Sequence, residues 1–229
     1  MPGTIAIVQA RMGSTRFPGK TLHDLCGRTL LERVLDRVSR ASSVDAVVVA
    51  TTQEAIDDDL ARVAAGFGAA VFRGSTEDVL DRYVRAAREH GATVVVRNTA
   101  DEPFLDPGLI GDVIAALGDA DYASNNLEHR YPEGLDTEAV AMPALQIAWS
   151  EATRPSDREH VTPFIWRQPQ RFRLVPVGAA PVRPDLRLTV DYPADLDFAR
   201  AIYAALGPDR AFGLAEVIAL LEERPDLLA

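Results

Sequence analysis

The chain of 229 residues holds one cysteine, Cys26. An internal disulfide is therefore excluded, and a cytoplasmic address is expected from a single-thiol chain. Cys26 stands between Leu25 and Gly27 without a nucleophile motif and reads as a small buried or turn residue. Long apolar runs are also missing. None approaches the roughly 20 residues needed to cross a bilayer, and Arg11 and Arg16 interrupt any apolar N-terminal region, so neither a membrane span nor a signal peptide is expected. Cations are in deficit, with 24 Lys and Arg against 34 Asp and Glu, a net charge of −10. Nucleic-acid affinity is dominated by basic contacts to phosphate, so this balance argues against a nucleic-acid partner. Repeats, low-complexity segments and clean linkers are lacking too. A hydrophobic content of 47% with 25% charged residues is that of an ordinary globular chain. The expectation is one domain spanning 1–229, large enough for a substantial core.

The few cations are concentrated near the start. Ile5-Ala6-Ile7-Val8 reads as a buried strand. The following loop holds Arg11, Arg16 and Lys20 with Gly13, Pro18 and Gly19. An amphipathic helix then carries Leu30, Leu31, Val34, Leu35 and Val38 at helical spacing. Strand, glycine-rich basic loop and helix is a layout that binds phosphate, because glycines admit backbone N–H groups to the anion and the cations neutralise it. The Walker A pattern fails here, since Gly13 and Gly19-Lys20-Thr21 are one residue too far apart. A loop with Arg at its start and Lys at its end suits a nucleoside triphosphate, and an ordinary solvated basic turn has the same composition.

Further on, strands are predicted at 46–51, 70–72 and 93–97, with helices at 54–65 and 76–89 and a turn at 73–76. Alternating strands and helices, with strands apolar on both faces, predict an α/β fold around a mostly parallel sheet. Ligands sit at the carboxyl ends of such strands. The loops at Gln9-Ala10-Arg11, Thr51-Thr52, Arg73-Gly74-Ser75 and Asn98 to Glu102 should therefore converge on one crevice. Asp101 and Glu102 follow a buried strand, which suits a carboxylate that binds metal beside phosphate, while Asp106 before Pro107 reads as a helix cap. Short strands are expected at 121–124, 137–141, 171–176 and 186–190, and helices at 142–152, 194–206 and 213–223. Asp191 would follow the 186–190 strand and repeat the Asp101 arrangement, so that the two carboxylates could grip one divalent cation. Asp195 reads as a cap of the closing helix. His160 is placed at the start of a helix.

QARMGSTRFPGK resembles the N-terminal signature of the cytidylyltransferases that make CMP-activated sugar acids, the acylneuraminate and Kdo synthetases, and above all their spore coat polysaccharide biosynthesis protein F branch. RNTADEPFLDP is similar to the family's T-G-D-x-P segment, with Ala100 where glycine is commoner. RYPEGLD, REHVTPFI and LTVDYPAD follow in the family's order. The resemblance implies a nucleotide-diphospho-sugar transferase-like α/β three-layer sandwich with a small acceptor and dimerisation lobe near 125–180, and a homodimer. It implies transfer of CMP from CTP to a small anionic acceptor, a sugar acid or a phosphonate, with release of pyrophosphate. Mg2+ on Asp101 and Asp191 is the implied cofactor. Ala10, Arg11, Met12, Gly13, Ser14, Arg16, Lys20, Thr52 and Asp101 would hold the nucleotide. Arg73, Ser75 and Asp78 are candidates for the cytidine from their place after the third strand, and Asp136, Glu138, Arg158 and His160 for the acceptor. Another nucleotide, a glycosyltransferase of the same fold, and a catalytically silent nucleotide binder stay open as alternatives.

Overall fold

The computed structural model describes residues 3–180 and 182–228. Its centre is the strand β1 (Gly3–Gln9). Alternate residues of a strand point to opposite faces, and β1 shows the consequence. Ile5 and Ile7 enter one apolar cluster with Leu80 and Tyr83. Ala6 and Val8 enter another with Leu31, Val34 and Leu35. Both faces are covered, which is why the strand is a continuous apolar run.

From β1 the chain passes through α1 (Leu30–Ser39) to β2 (Ala46–Thr52), and through α2 (Asp58–Phe67) to β3 (Ala70–Gly74). It then turns back through α3 (Val79–Glu89) to β4 (Ala92–Thr99), which lies on the other flank of β1. The helix α4 (Pro107–Leu117) leads to the short β5 (Tyr122–Ser124). After β6 (Glu138–Ala141) come α5 (Met142–Glu151), α6 (Pro155–His160), α7 (Pro163–Trp166) and β7 (Leu174–Pro176). The sheet order is β3-β2-β1-β4-β6-β5-β7. Pairing is parallel except around β6, which runs antiparallel to β4 and β5. The three-layer sandwich expected from the sequence is thus present, with α3 and α5 on one face and α1, α2 and α4 on the other.

Helix α1 shows how local sequence sets this up. Thr29 and Glu32 form a reciprocal capping box, worth about 1 kcal/mol by the usual effect of removing such a cap. Leu30, Leu31, Val34, Leu35 and Val38 are all fully buried, each contributing roughly 1.5–3 kcal/mol.

The closing helices α8 (Pro193–Leu206) and α9 (Leu214–Glu223) build a further cluster with Leu25, Phe104, Leu188 and Val190. The strand expected at 186–190 is absent. Leu186, Leu188 and Val190 do alternate inward, but the segment pairs with loops rather than with a neighbouring strand. Leu188 N–H donates to Glu133 O, and Val190 N–H donates to Asp101 O. Other boundaries move too, and the helix expected at 54–65 is α2 from Asp58. Arg73 and Gly74 complete β3 rather than a turn, and α3 begins at Val79 because Asp78 caps it. The strand expected at 171–176 shortens to β7. Cys26 lies in a turn at φ 56°.

Gly134 is the glycine that the packing of this region requires. It has φ +100°, and a Cβ there would lie 2.7 Å from the Leu188 carbonyl carbon and the Thr189 nitrogen. Gly134→Ala is expected to lower unfolding stability by about 2–4 kcal/mol, from left-handed strain plus overpacking. Urea denaturation measures this, and a loss below about 0.5 kcal/mol, the range of an unremarkable surface change, would contradict the close approach.

Candidate active site

Strand order reverses between β1 and β4, and a crevice of about 320 Å³ opens at their carboxyl ends. This is where an open parallel sheet separates two neighbouring loops. From β1 the crevice receives Gln9, Ala10, Arg11, Ser14, Arg16 and Lys20, and from β4 it receives Arg97, Thr99, Ala100 and Asp101. A smaller adjoining cavity shares Gln9, Arg11 and Glu159 with it.

The loop after β1 is folded on itself. Met12 O accepts from the amides of Ser14 and Gly19, at 2.9 and 3.1 Å. Gly19 takes φ +72° to make this return. Met12 N–H donates to Asp57 Oδ1 at 2.7 Å, and the buried Thr52 hydroxyl donates to the other Asp57 oxygen. Thr52 therefore reaches the loop through Asp57, a buried carboxylate that the sequence reading missed. Arg11, Gly13, Thr15 and Arg16 are exposed. The amides of Gly13, Thr15 and Arg16 make no hydrogen bond among the described residues. Free N–H groups beside cations are the makings of an anion nest.

Lys20 joins the two sides of the crevice. Its side chain is 9% exposed. The ammonium donates to Asp101 Oδ2 at 2.8 Å, to Val190 O at 2.8 Å and to Asp191 Oδ1 at 3.0 Å. The two carboxylates predicted to act together thus meet on one cation. Asp101 also accepts from the Thr99 hydroxyl at 2.6 Å. Asp191 accepts from Arg16 at 2.7 Å and from Arg187 at 2.8 Å. Asp195 caps α8 and also holds Asp191, whose amide donates to it at 2.7 Å, while its other oxygen accepts from Arg187 at 2.9 Å. Burial opposes the charge on Asp191, but the hydrogen bond and charge of Lys20, with Arg16 and Arg187, hold its carboxyl below the usual range. Among the described residues no three His, Cys, Asp or Glu side chains form a metal cage. A pair of carboxylates still fits magnesium, which takes one or two from protein and completes its shell with phosphate and water.

The candidates after β3 sit elsewhere. Arg73 donates to Thr52 O at 2.8 Å, to Glu54 O at 2.9 Å and to Asp58 at 2.5 Å. Ser75 Oγ accepts from the Asp78 amide at 3.0 Å. Asp78 is gripped by the Arg158 guanidinium, which also donates to Trp149 O at 2.6 Å. Arg73 ties β3 to the end of β2 and to α2, whereas Ser75, Asp78 and Arg158 form a bracket between α3 and α6, and none of the four lines the crevice. Glu138 is buried and accepts from Arg97, from Tyr122 at 2.6 Å and from Thr162 at 2.5 Å. The Arg97–Glu138 pair follows from the antiparallel register that sets these two residues opposite each other. His160 does line the crevice, together with Glu159. It closes α6 rather than opening a helix, and the short helix breaks after it at Val161, where φ is +72°.

Two carboxyls behind β4 are shifted upward. Burial, the Asp136 and Asp101 charges and the lack of any donor to Oε2 push Glu102 well above the carboxylate range. Burial, reinforced by Glu138 and Glu133 and only partly offset by Arg97 and His129, pushes Asp136 up to about 6. Glu102, which the sequence offers beside Asp101 as a strand-end carboxylate, is buried and does not line the crevice, whereas Arg97 and Glu159 are site neighbours that the motif reading does not single out. Only their proximity in space reveals them.

A parallel β3-β2-β1-β4 sheet with a cationic loop after β1 and a carboxylate after β4 defines a nucleotide-binding α/β protein. A family model described as Cytidylyltransferase matches residues 5–220. The chain belongs to the cytidylyltransferase family and is a nucleotidyltransferase of the nucleotide-diphospho-sugar transferase-like fold. It is 36% identical over 238 residues to the spore coat polysaccharide biosynthesis protein SpsF of Bacillus subtilis, covering 99% of this chain and 97% of that protein. It is 40% identical over 116 residues to the 3-deoxy-manno-octulosonate cytidylyltransferase of Geobacter sulfurreducens, covering 50% and 45% of the two chains. The structure of a cytidylyltransferase from Leptospira borgpetersenii superposes with a TM-score of 0.92 at 27% identity, over 99% of this chain and 97% of that one.

Asp136 yields a test of the electrostatics. Between about pH 4 and 6 the folded state holds a proton that the unfolded chain has lost, so this group's contribution to stability falls as pH rises. Asp136→Asn cannot ionise. The stability of the variant minus that of wild type is expected to rise by about 3 kcal/mol between pH 3.5 and pH 7.5. Urea unfolding at both pH values measures it, and a flat difference would refute the buried charge.

Proposed function

We propose that the chain transfers CMP from CTP to a small anionic acceptor, releasing pyrophosphate. The observation that carries this reading is Lys20 set between Asp101 and Asp191, beneath an exposed loop with free amides and two arginines. A triphosphate needs distributed positive charge along its length, and in a chain of net charge −10 this loop supplies it. Arg11, Arg16 and the amides of Gly13 and Thr15 would bind the β- and γ-phosphates. They would also stabilise the pyrophosphate as the bond from its oxygen to the α-phosphorus breaks. Lys20 would neutralise charge on the α-phosphoryl group by exchanging one of its contacts to Asp101 or Asp191 for a phosphate oxygen.

The acceptor oxygen attacks the α-phosphorus in line, so catalysis is chiefly positioning and charge neutralisation. Asp101 and Asp191 are the residues that would hold magnesium, which when bound polarises phosphate and lowers the pKa of an acceptor hydroxyl. Arg187 and Asp195 keep Asp191 in place for that role. Arg97 and His160 share the crevice with these groups and would be the side chains to meet an acceptor carboxylate. A 2-keto sugar acid is the acceptor class this reading favours, supported by the octulosonate named for the Geobacter relative.

Calorimetry with CTP, UTP, GTP and ATP, each with and without magnesium, tests the nucleotide half. Selective CTP binding strengthened by magnesium is expected, and equal binding of all four would overturn the cytidine assignment. Asp101→Asn and Asp191→Asn are each expected to lower pyrophosphate release on mixing CTP with a 2-keto sugar acid by at least about 100-fold, the scale of losing a key electrostatic group. Far-UV circular dichroism should be unchanged, and wild-type rates in both variants would remove the carboxylates from the mechanism.

A further inference from the structure

A second cavity, of about 300 Å³, shares no lining residue with the crevice. It lies along α1, against α8 and the loop that enters α9. Five arginines line it against two aspartates and one glutamate, an excess of two positive charges in an acidic chain.

Two of these arginines are buried. Arg33 and Arg37 are 4% and 6% exposed. Arg33 lies over the Tyr203 ring at 5.1 Å, and Arg37 over the Phe212 ring at 4.2 Å. Arg33 donates to the carbonyls of Leu25, Cys26 and Pro208. Arg37 donates to the Tyr203 hydroxyl at 3.0 Å and to the Leu105 and Phe212 carbonyls, each at 3.1 Å. All of these acceptors are neutral. Arg37 forms no ion pair among the described residues, and its second terminal nitrogen makes no hydrogen bond among them. Arg33 has Asp209 at 3.9 Å, but that side chain is 85% exposed. Buried charges are ordinarily paired, and this pair of guanidiniums lacks an equally buried counter-ion.

The rim is also short of negative charge. Arg28 and Arg40 share one carboxylate, Asp36, at 3.6 and 2.8 Å. Arg210 forms no ion pair among the described residues. The Glu216 carboxylate accepts from the Gly213 amide at 3.0 Å.

We propose that this cavity binds a small multivalent phosphate anion of the diphosphate or triphosphate class, held by Arg37, Arg40 and Arg210. Guanidinium groups match phosphate oxygens two at a time. A volume of about 300 Å³ is at the small end of ligand cavities, which suits a phosphate chain. The inference rests on the cavity alone and stands apart from the reaction proposed for the crevice.

The test is backbone-amide NMR during titration of the full chain with inorganic pyrophosphate, because signals from Arg210 to Gly213 and from Arg11 to Lys20 report the two places separately. Saturable shifts are expected at Arg210 to Gly213. Arg40 and Arg210 are both exposed, so the double variant R40A/R210A should keep the native amide dispersion. It is expected to weaken those shifts at least tenfold and leave the Arg11 to Lys20 response unchanged. CTP in a parallel titration separates the sources: shifts at Arg210 to Gly213 identify a nucleotide's phosphate chain as a ligand, and shifts with pyrophosphate alone identify the free anion. No saturable shift at Arg210 to Gly213 in wild type with either, or undiminished shifts in the double variant, would overturn the proposal.

Discussion

One ammonium group fixes the geometry of the crevice. Lys20 touches Asp101, Asp191 and the Val190 carbonyl, so the loop after β1, the end of β4 and the entry to α8 must all meet at a single point. Removing one member of such a buried set leaves an uncompensated charge, commonly a cost of about 3–5 kcal/mol. The same arrangement that prepares the chemistry therefore also locks three distant segments together. Arg187 and Asp195 extend the lock, because Asp191 is held on both oxygens and at its amide.

The rest of the architecture delivers these segments to that point. Two apolar clusters clamp the sheet and set the direction of β1 and β4. A separate cluster seats α8 and α9 beside them. Arg33 and Arg37 on α1 fasten this last unit by reaching carbonyls at Pro208 and Phe212. Apolar burial supplies most of the attachment. The arginines add direction, since a planar guanidinium accepts few approach angles.

Much of this was legible in the residues. β1 and α1 declared themselves through an apolar run and a helical spacing, because burial alone selects those patterns. The phosphate-binding character of the first loop followed from where the cations were concentrated. Asp101 and Asp191 were paired from their motifs, although Asp191 follows an extended segment and not a strand. That segment has strand-like alternation, but strand status depends on a partner, and partners here are loops. Arg158 and Asp78 are ligand candidates in the sequence, and in the fold their charges meet each other across 80 positions. No local pattern distinguishes an arginine that meets a ligand from one that meets a carboxylate. Asp57 and Arg97 escape notice for the same reason, since their roles come from tertiary proximity.

The contact between Lys20 and Asp191 spans 171 positions of chain. During synthesis, Lys20 emerges with the first loop, while its second carboxylate is still to be translated. Until α8 docks, the early half of the sheet carries an incomplete charge set, with Lys20 facing Asp101 alone. Formation of the site therefore requires closure of the whole fold, and a chain ending before Asp191 lacks one of the two carboxylates that meet on Lys20.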